Sequence, residues 1–280
     1  MKRAFIALTL LAAPTASPAT GEAVRARVAS DSKAGQPLVA QVIVALCDNR
    51  YQGIVPVPRH LGNGQDPRSN LYWGAAYGVR TYLPQRCGWQ IVSQAKSTSE
   101  GVLDRVILRT AETVSGRSRQ IYLVAEAWDG QKIKEAIQRF FSLAAGREPE
   151  PIRLSFGGKN VDLSAGGASH LVAFVGHNGL MDFHPGEILP RPPDAQPSSS
   201  VILACASKPY FLDKLRLVGS HPLLLTTGLM APEAYTLDAV LRTWFRGQTP
   251  EAVREAAAAA YTRFQGCGII AARRLFSAEQ

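Results

Sequence analysis

The chain has little of what would assign it to a metal-binding or nucleic-acid-binding class. Its 280 residues include four cysteines, and none of these stands in a CxxC pair or beside histidines at the spacing of a zinc site. The 31 basic and 22 acidic residues leave a net charge of +9. The basic residues occur singly or in pairs, not in the long runs typical of nucleic-acid-binding arms. We therefore expect no metal, no cofactor and no nucleic-acid partner.

Long apolar runs are also missing, apart from a short one at the N-terminus. Lys2 and Arg3 precede an apolar run at residues 4–13, and small residues and prolines follow up to Ala19. This three-part pattern is typical of a secretory signal peptide. A bilayer span needs about 20 apolar residues, twice the length of this run. We expect residues 1–19 to be a signal peptide and residues 20–280 to form one periplasmic or secreted domain without a transmembrane segment.

Short apolar runs recur along the rest of the chain. Residues 38–46 (LVAQVIVAL) are almost continuously apolar between turn-forming residues, which is typical of a strand buried on both faces. Further runs of this kind lie at residues 89–92, 105–108, 121–125, 171–175, 201–204 and 223–225. Helical patterns lie at residues 70–83, 130–145, 232–247 and 249–266. This alternation predicts an α/β fold with a mostly parallel sheet. Residues 107–113 and 119–125 predict an antiparallel hairpin at one edge.

A histidine and a cysteine follow two consecutive apolar runs. His177 comes two positions after the run 171–175, and Cys205 directly follows the run 201–204. Because open parallel sheets bind ligands beyond the carboxyl ends of their strands, we expect both side chains at one rim. An imidazole is the usual base that activates a nucleophilic thiol. Structural roles, as a buried cysteine and a turn histidine, are the alternatives.

The segments HLVAFVGHNG and SVILACAS around these residues resemble the caspase-like cysteine peptidases, which include caspases, legumains, gingipains and clostripain. In that group one apolar strand ends in His-Gly and a second ends in Ala-Cys or Gly-Cys. The resemblance implies a three-layer sandwich, His177 as general acid/base and Cys205 as nucleophile. It also implies an oxyanion hole at backbone N–H groups near Gly179 and Cys205. Here Asn178 directly follows the histidine, and the histidine precedes the cysteine by 28 positions, against about 50 in caspases.

The expected function is that of an exported cysteine peptidase-like hydrolase that forms a thioester on Cys205 and acts on a peptide or protein. The turn-rich segment 52–70 is a candidate cleft wall. Four polar residues near other strand ends are candidates for a substrate pocket, namely Asp48, Arg50, Thr227 and Glu233. Their charges are mixed and indicate no residue preference. The alternatives are an inactive binding protein of the caspase fold and an unrelated periplasmic α/β binding protein. No pattern indicates the oligomeric state.

The four cysteines also predict disulfide chemistry. In an oxidising compartment, cysteines pair by default, and four of them allow three pairings. A nucleophilic Cys205 must stay free, which leaves one pair and one single thiol among the others. We expect a Cys87–Cys267 disulfide and a packing role for Cys47.

Overall fold

The computed structural model describes residues 19–279, so the predicted signal peptide lies outside the described residues except for Ala19. The strands in this part are β1 (Leu38–Ala45), β2 (Gln90–Ser99), β3 (Val102–Val114), β4 (Arg117–Trp128), β5 (Pro149–Phe156), β6 (Lys159–Gly166), β7 (Leu171–Val175), β8 (Ser199–Leu203), β9 (His221–Thr226) and β10 (Phe276–Ser277). The helices are α1 (Gly21–Lys33), α2 (Val79–Arg86), α3 (Ile133–Ala144), α4 (Ser207–Leu217), α5 (Ala234–Phe245), α6 (Pro250–Gln265) and α7 (Ile269–Leu275). None of these helices combines the length and the apolar character that a bilayer crossing requires.

Eight of the strands form one mixed, mostly parallel sheet. Their order is β10-β9-β8-β7-β1-β4-β3-β2. The five strands from β9 to β4 run parallel to one another, whereas β2, β3 and β10 pair antiparallel with their neighbours. The prediction of an α/β fold with a mostly parallel sheet is confirmed. The parallel strands bring the residues that follow β1, β7, β8 and β9 to one rim.

Helices cover both faces of the sheet because the strands are apolar on both sides. Leu38, Ala40 and Val42 of β1 pack in a cluster with α1, α2, α5 and α6. Ile43 and Ala45 of the same strand pack in a second cluster with α3 and α4. The period of two along β1 therefore divides its side chains between two helical layers.

The predicted hairpin forms but is not confined to the edge. Strands β3 and β4 are joined by Ser115 and Gly116, whose φ angles of 50° and 76° are those of a tight hairpin turn. Strand β4 also pairs in parallel with β1, so the hairpin is built into the sheet and β2 becomes the edge strand. A run of buried residues at the end of β4 is consistent with this interior place.

A second hairpin, β5–β6, has no counterpart in the sequence prediction. Its two strands form a separate sheet and place Leu154, Leu163 and Ala165 against β1, β3 and β4. Only a few of its residues are buried, and prolines and a Gly157–Gly158 turn interrupt the pattern. Such a segment has the composition of a loop, which is why periodicity did not reveal it.

Two buried histidines at the amino ends of the strands make the stability of the fold sensitive to acid. Nδ1 of His170 accepts the N–H of Val39 at 3.1 Å, and its Nε2 lies 3.0 Å from Asp31 Oδ2. His221 is buried and stacks on Trp244. Burial lowers the pKa of each imidazole to about 4, so both are neutral in the folded chain at pH 7.

We expect the free energy of unfolding to fall by about 2 kcal/mol per histidine between pH 7 and pH 5. In this range the unfolded chain, with a histidine pKa near 6.5, takes up protons that the folded chain does not. Urea unfolding followed by circular dichroism at the two pH values measures the difference. The His221→Gln variant should lose about half of it. Equal free energies at pH 7 and pH 5 would contradict the assignment of neutral buried histidines.

Candidate functional site

The two candidate catalytic residues follow neighbouring strands in matched register. Strands β7 and β8 pair in parallel, as the two apolar runs predicted, and Val175 lies opposite Leu203. His177 and Cys205 each come two positions after these paired residues. The sheet therefore carries both residues to the same rim at the same height.

A cleft of about 340 Å³ lies at this rim and is lined by both His177 and Cys205. One side is formed by Gly53, Ile54, Val55 and Val57, which belong to the turn-rich segment that was a candidate wall. Leu71 and Tyr72 also line the cleft, as does the loop of residues 229–232 after β9. The segments that meet here thus come from widely separated parts of the chain.

His177 is held by a carboxylate five residues further along the chain. Its Nε2 lies 2.6 Å from Asp182 Oδ2, and the imidazole is almost fully buried. A short 3₁₀ turn, Gly179–Met181, brings Asp182 back toward the histidine. The same carboxylate oxygen accepts the N–H of Gly53 at 3.4 Å. This contact orients the ring and leaves Nδ1 as the nitrogen available for proton transfer.

Asp182, which contacts His177 and lines the cleft, is a candidate site residue that the sequence interpretation missed. A spacing of five residues corresponds to no established catalytic pattern, and the 3₁₀ turn that brings the two side chains together was not predicted. The signal that could have identified Asp182 from the sequence is an acidic residue in the turn directly after a histidine that follows a strand.

Cys205 lies at a sharp turn between β8 and α4. The next residue, Ala206, has φ 43° and ψ 43°, a left-handed conformation that is uncommon for a residue other than glycine. The Cys205 Sγ accepts the N–H of Met230 at 3.4 Å and lies 3.5 Å from its carbonyl oxygen. Within residues 19–279, no hydrogen bond joins His177 and Cys205. The half-buried thiol is thus bonded to the loop after β9.

The residue inserted after the histidine links the two strand ends. Asn178 is fully buried, and its Nδ2 donates to the carbonyl oxygen of Cys205 at 2.8 Å. Among the residues that the structure describes, the backbone N–H groups of Asn178 and Cys205 have no acceptor. Of these two residues only Cys205 lines the cleft, so its N–H is the one placed to donate to an oxyanion.

Gly179, a predicted contributor to the oxyanion hole, has a different place. Its N–H donates to the carbonyl oxygen of His177 at 3.0 Å. A Cβ atom built on it would lie 2.7 Å from the ring of Phe183 and 3.1 Å from Ile137 of α3. It does not line the cleft, because the 3₁₀ turn directs it toward the helical layer.

The predicted pocket residues after β1 organise a loop and do not line the cleft. Asp48 is buried and accepts the N–H of Arg50 at 2.8 Å and of Tyr51 at 3.2 Å, as well as Gln65 Nε2 at 2.9 Å. Arg50 is exposed, with its guanidinium 5.0 Å from the ring of Tyr51. The carboxyl end of β1 does bring this backbone to the rim of the sheet, but the turn after β1 directs the two side chains away from the cleft.

The two predicted pocket residues after β9 also lie outside the cleft lining. The hydroxyl of Thr227 donates to the carbonyl oxygen of Arg274 at 2.6 Å. Glu233 is the N-cap residue of α5, and its carboxylate accepts the hydroxyl of Tyr235 at 2.8 Å and Nε2 of Gln265 at 3.2 Å. Burial raises the pKa of Glu233 above its usual value. Both side chains are bonded to the C-terminal helices.

The predicted Cys87–Cys267 disulfide is wrong, because all four cysteines are free thiols. Burial is the main cause that raises the pKa of Cys47 to about 11 and of Cys87 to about 12, which makes both poor nucleophiles at neutral pH. Cys267 is exposed near the C-terminus. Cys205 is the one free thiol of the described chain that lines the cleft.

No protein-family model, curated protein or solved structure matches the chain. Residues 19–279 hold no group of three or more histidine, cysteine, aspartate or glutamate side chains arranged to bind a metal ion.

Proposed function

We propose that the chain is an exported caspase-like cysteine peptidase in which His177 and Cys205 are the catalytic pair. The observation that carries this proposal is that both residues, from adjacent strand ends in matched register, line one cleft. The strand order and the helices on both faces are consistent with the three-layer sandwich that the sequence resemblance implies. Export is inferred from the signal-peptide pattern of residues 1–19.

In the first half of the proposed reaction, His177 Nδ1 removes the proton from the Cys205 thiol. The thiolate attacks the carbonyl carbon of the peptide bond and forms a C–S bond, while the carbonyl oxygen becomes negatively charged. The unpaired N–H group of Cys205, which lines the cleft, is the proposed donor to this oxyanion. The protonated His177 then gives its proton to the leaving amine, the C–N bond breaks, and a thioester on Cys205 remains.

In the second half, water replaces the amine. His177 removes a proton from the water, which attacks the thioester carbon, and the C–S bond breaks to release a carboxylic acid. The proton returns to the Cys205 sulfur. Asp182, 2.6 Å from the other ring nitrogen, stabilises the imidazolium that forms in each half.

One observation favours the alternative of an inactive binding protein. The Cys205 Sγ is hydrogen-bonded to the backbone of Met230 and not to His177. In apo enzymes the catalytic hydrogen bond is often formed only when substrate binds, so this geometry does not decide against catalysis. Thiol reactivity distinguishes the two functions directly.

The test is the rate at which iodoacetamide modifies each thiol at pH 7, followed by mass spectrometry of peptides. A free cysteine, with a pKa of about 8.5, is only a few per cent thiolate at this pH, so activation by His177 should raise the rate at Cys205 by roughly 10-fold or more over that at exposed Cys267. His177→Ala should remove this advantage. His184→Ala, an exposed histidine in the following loop, is the matched control and should not. Equal rates at Cys205 in the wild type and in His177→Ala would contradict the catalytic pair.

A further inference from the structure

We infer that the cleft binds an uncharged, apolar substrate side chain beside the reacting carbonyl group. The inference rests on the proposed function for the place of the reacting bond, whereas the binding preference depends on the cleft alone. The four pocket residues predicted from the sequence have mixed charges and indicated no such preference.

The lining of the cleft is dominated by apolar side chains, contributed by Ile54, Val55, Val57, Leu71, Met181 and Leu229. Four titratable side chains line the cleft. Besides the Tyr72 hydroxyl and the Cys205 thiol, they are the His177 imidazole and the Asp182 carboxylate. These two are paired with each other at 2.6 Å. The one carboxylate of the lining, on Asp182, is already engaged with His177 and with the N–H of Gly53, while its side chain is 40% exposed.

Glu233, the nearest acidic residue after the loop that lines the cleft, does not supply a free carboxylate either. It is absent from the lining, and its carboxylate accepts two hydrogen bonds from Tyr235 and Gln265. A charged substrate side chain entering the cleft would lose its hydration, which carries a large free-energy cost. It would meet no counter-ion other than the Asp182 carboxylate, which His177 already holds. An apolar side chain would gain free energy from the same transfer.

The mouth of the cleft provides a second, independent observation. Val55 is 83% exposed and Leu229 is 77% exposed, and Met181 is 47% exposed. Single exposed apolar residues are ordinary, but here three of them, from three different segments, line one cleft. A bound peptide with an apolar side chain would cover them and remove their surface from water.

Binding to the Cys205→Ala variant tests this preference without requiring any reaction. The probes are three N-acetylated peptide amides, Ala-Ala-Leu, Ala-Ala-Lys and Ala-Ala-Asp, measured by isothermal titration calorimetry. We expect the leucine peptide to bind roughly 100-fold more tightly than either charged peptide, because the only ionic pair in the lining, His177 with Asp182, is already formed. Equal binding of the three peptides, tighter binding of a charged one, or no binding of the leucine peptide would overturn the inference.

A substitution at the mouth provides the matched comparison in the same Cys205→Ala background. Leu229→Glu should weaken the binding of the leucine peptide by roughly 10-fold. It should also reduce the preference for leucine over lysine, because the new carboxylate would be an ionic partner for the lysine side chain. Leu217→Glu, at an exposed position on α4 outside the cleft lining, should change neither affinity. Equal effects of the two substitutions would contradict the place of the binding site.

The outcomes separate this inference from the proposed function. Selective binding of the leucine peptide combined with a Cys205 reactivity that is independent of His177 would leave the inference standing and reject the peptidase. His177-dependent reactivity combined with a preference for a charged peptide would do the reverse.

Discussion

Peptide hydrolysis by the purified chain is expected to fall by roughly 10⁴-fold or more when Cys205 is replaced by alanine. No neighbouring group can substitute for the thiol. Ser207, two residues further along, is buried, and its Oγ lies 3.0 Å from the hydroxyl of Thr226. The measurement is kcat/KM on a fluorogenic peptide with leucine before the cleaved bond.

Cys267→Ala is the matched control, since it removes an exposed thiol far along the chain from the cleft residues. It should retain the wild-type kcat/KM. If Cys205→Ala kept more than a tenth of the activity, covalent catalysis at this position would be rejected. The circular dichroism spectrum of each variant verifies that the fold is intact.

Asp182→Asn is expected to lower kcat by roughly 10²–10⁴-fold while changing KM little. The amide has nearly the same shape as the carboxylate but lacks its negative charge, so it stabilises an imidazolium on His177 much less. In the proposed mechanism Asp182 acts through His177 and is a positioning residue.

Two further measurements distinguish a lost positioning role of Asp182 from a general structural defect in the Asp182→Asn variant. If Asp182 acts as proposed, Asp182→Asn should also slow alkylation of Cys205 by iodoacetamide, and Asp182→Glu should restore part of both rates. Asp213→Asn, at an exposed carboxylate on α4, should leave both unchanged. A higher KM with an unchanged kcat would instead assign Asp182 to substrate binding.

The strands around the site were predictable from the sequence because they are buried on both faces. Strands β1, β7 and β8 are entirely buried, so each is a nearly unbroken apolar run between turn-forming residues. Helices α5 and α6 were predicted to within two residues, since the residues that begin and end them are local signals, whereas the short α7 was not predicted. The Thr249 side chain, for example, accepts the N–H of Ala252 at the start of α6.

Features that depend on tertiary contacts were not predictable in this way. The aromatic pattern of residues 70–83 predicted one helix, but residues 70–78 form hydrogen-bonded turns and α2 begins at Val79. The buried amide of Asn70 accepts the N–H of Cys47 at 3.1 Å and so ties these turns to the end of β1. The contact between His177 and Asp182 likewise depends on a turn whose conformation is set by the surrounding packing.

The Asn178 amide gives the rim a property that an ionisable group could not provide. It spans the ends of β7 and β8 through its bond to the Cys205 carbonyl oxygen, and it cannot gain or lose charge as the pH changes. A carboxylate or imidazole in its place would change its charge, and with it its bond to the carbonyl oxygen, as the pH changes. This bond between the two strand ends therefore contains no group that titrates, unlike the neighbouring contact of His177 with Asp182.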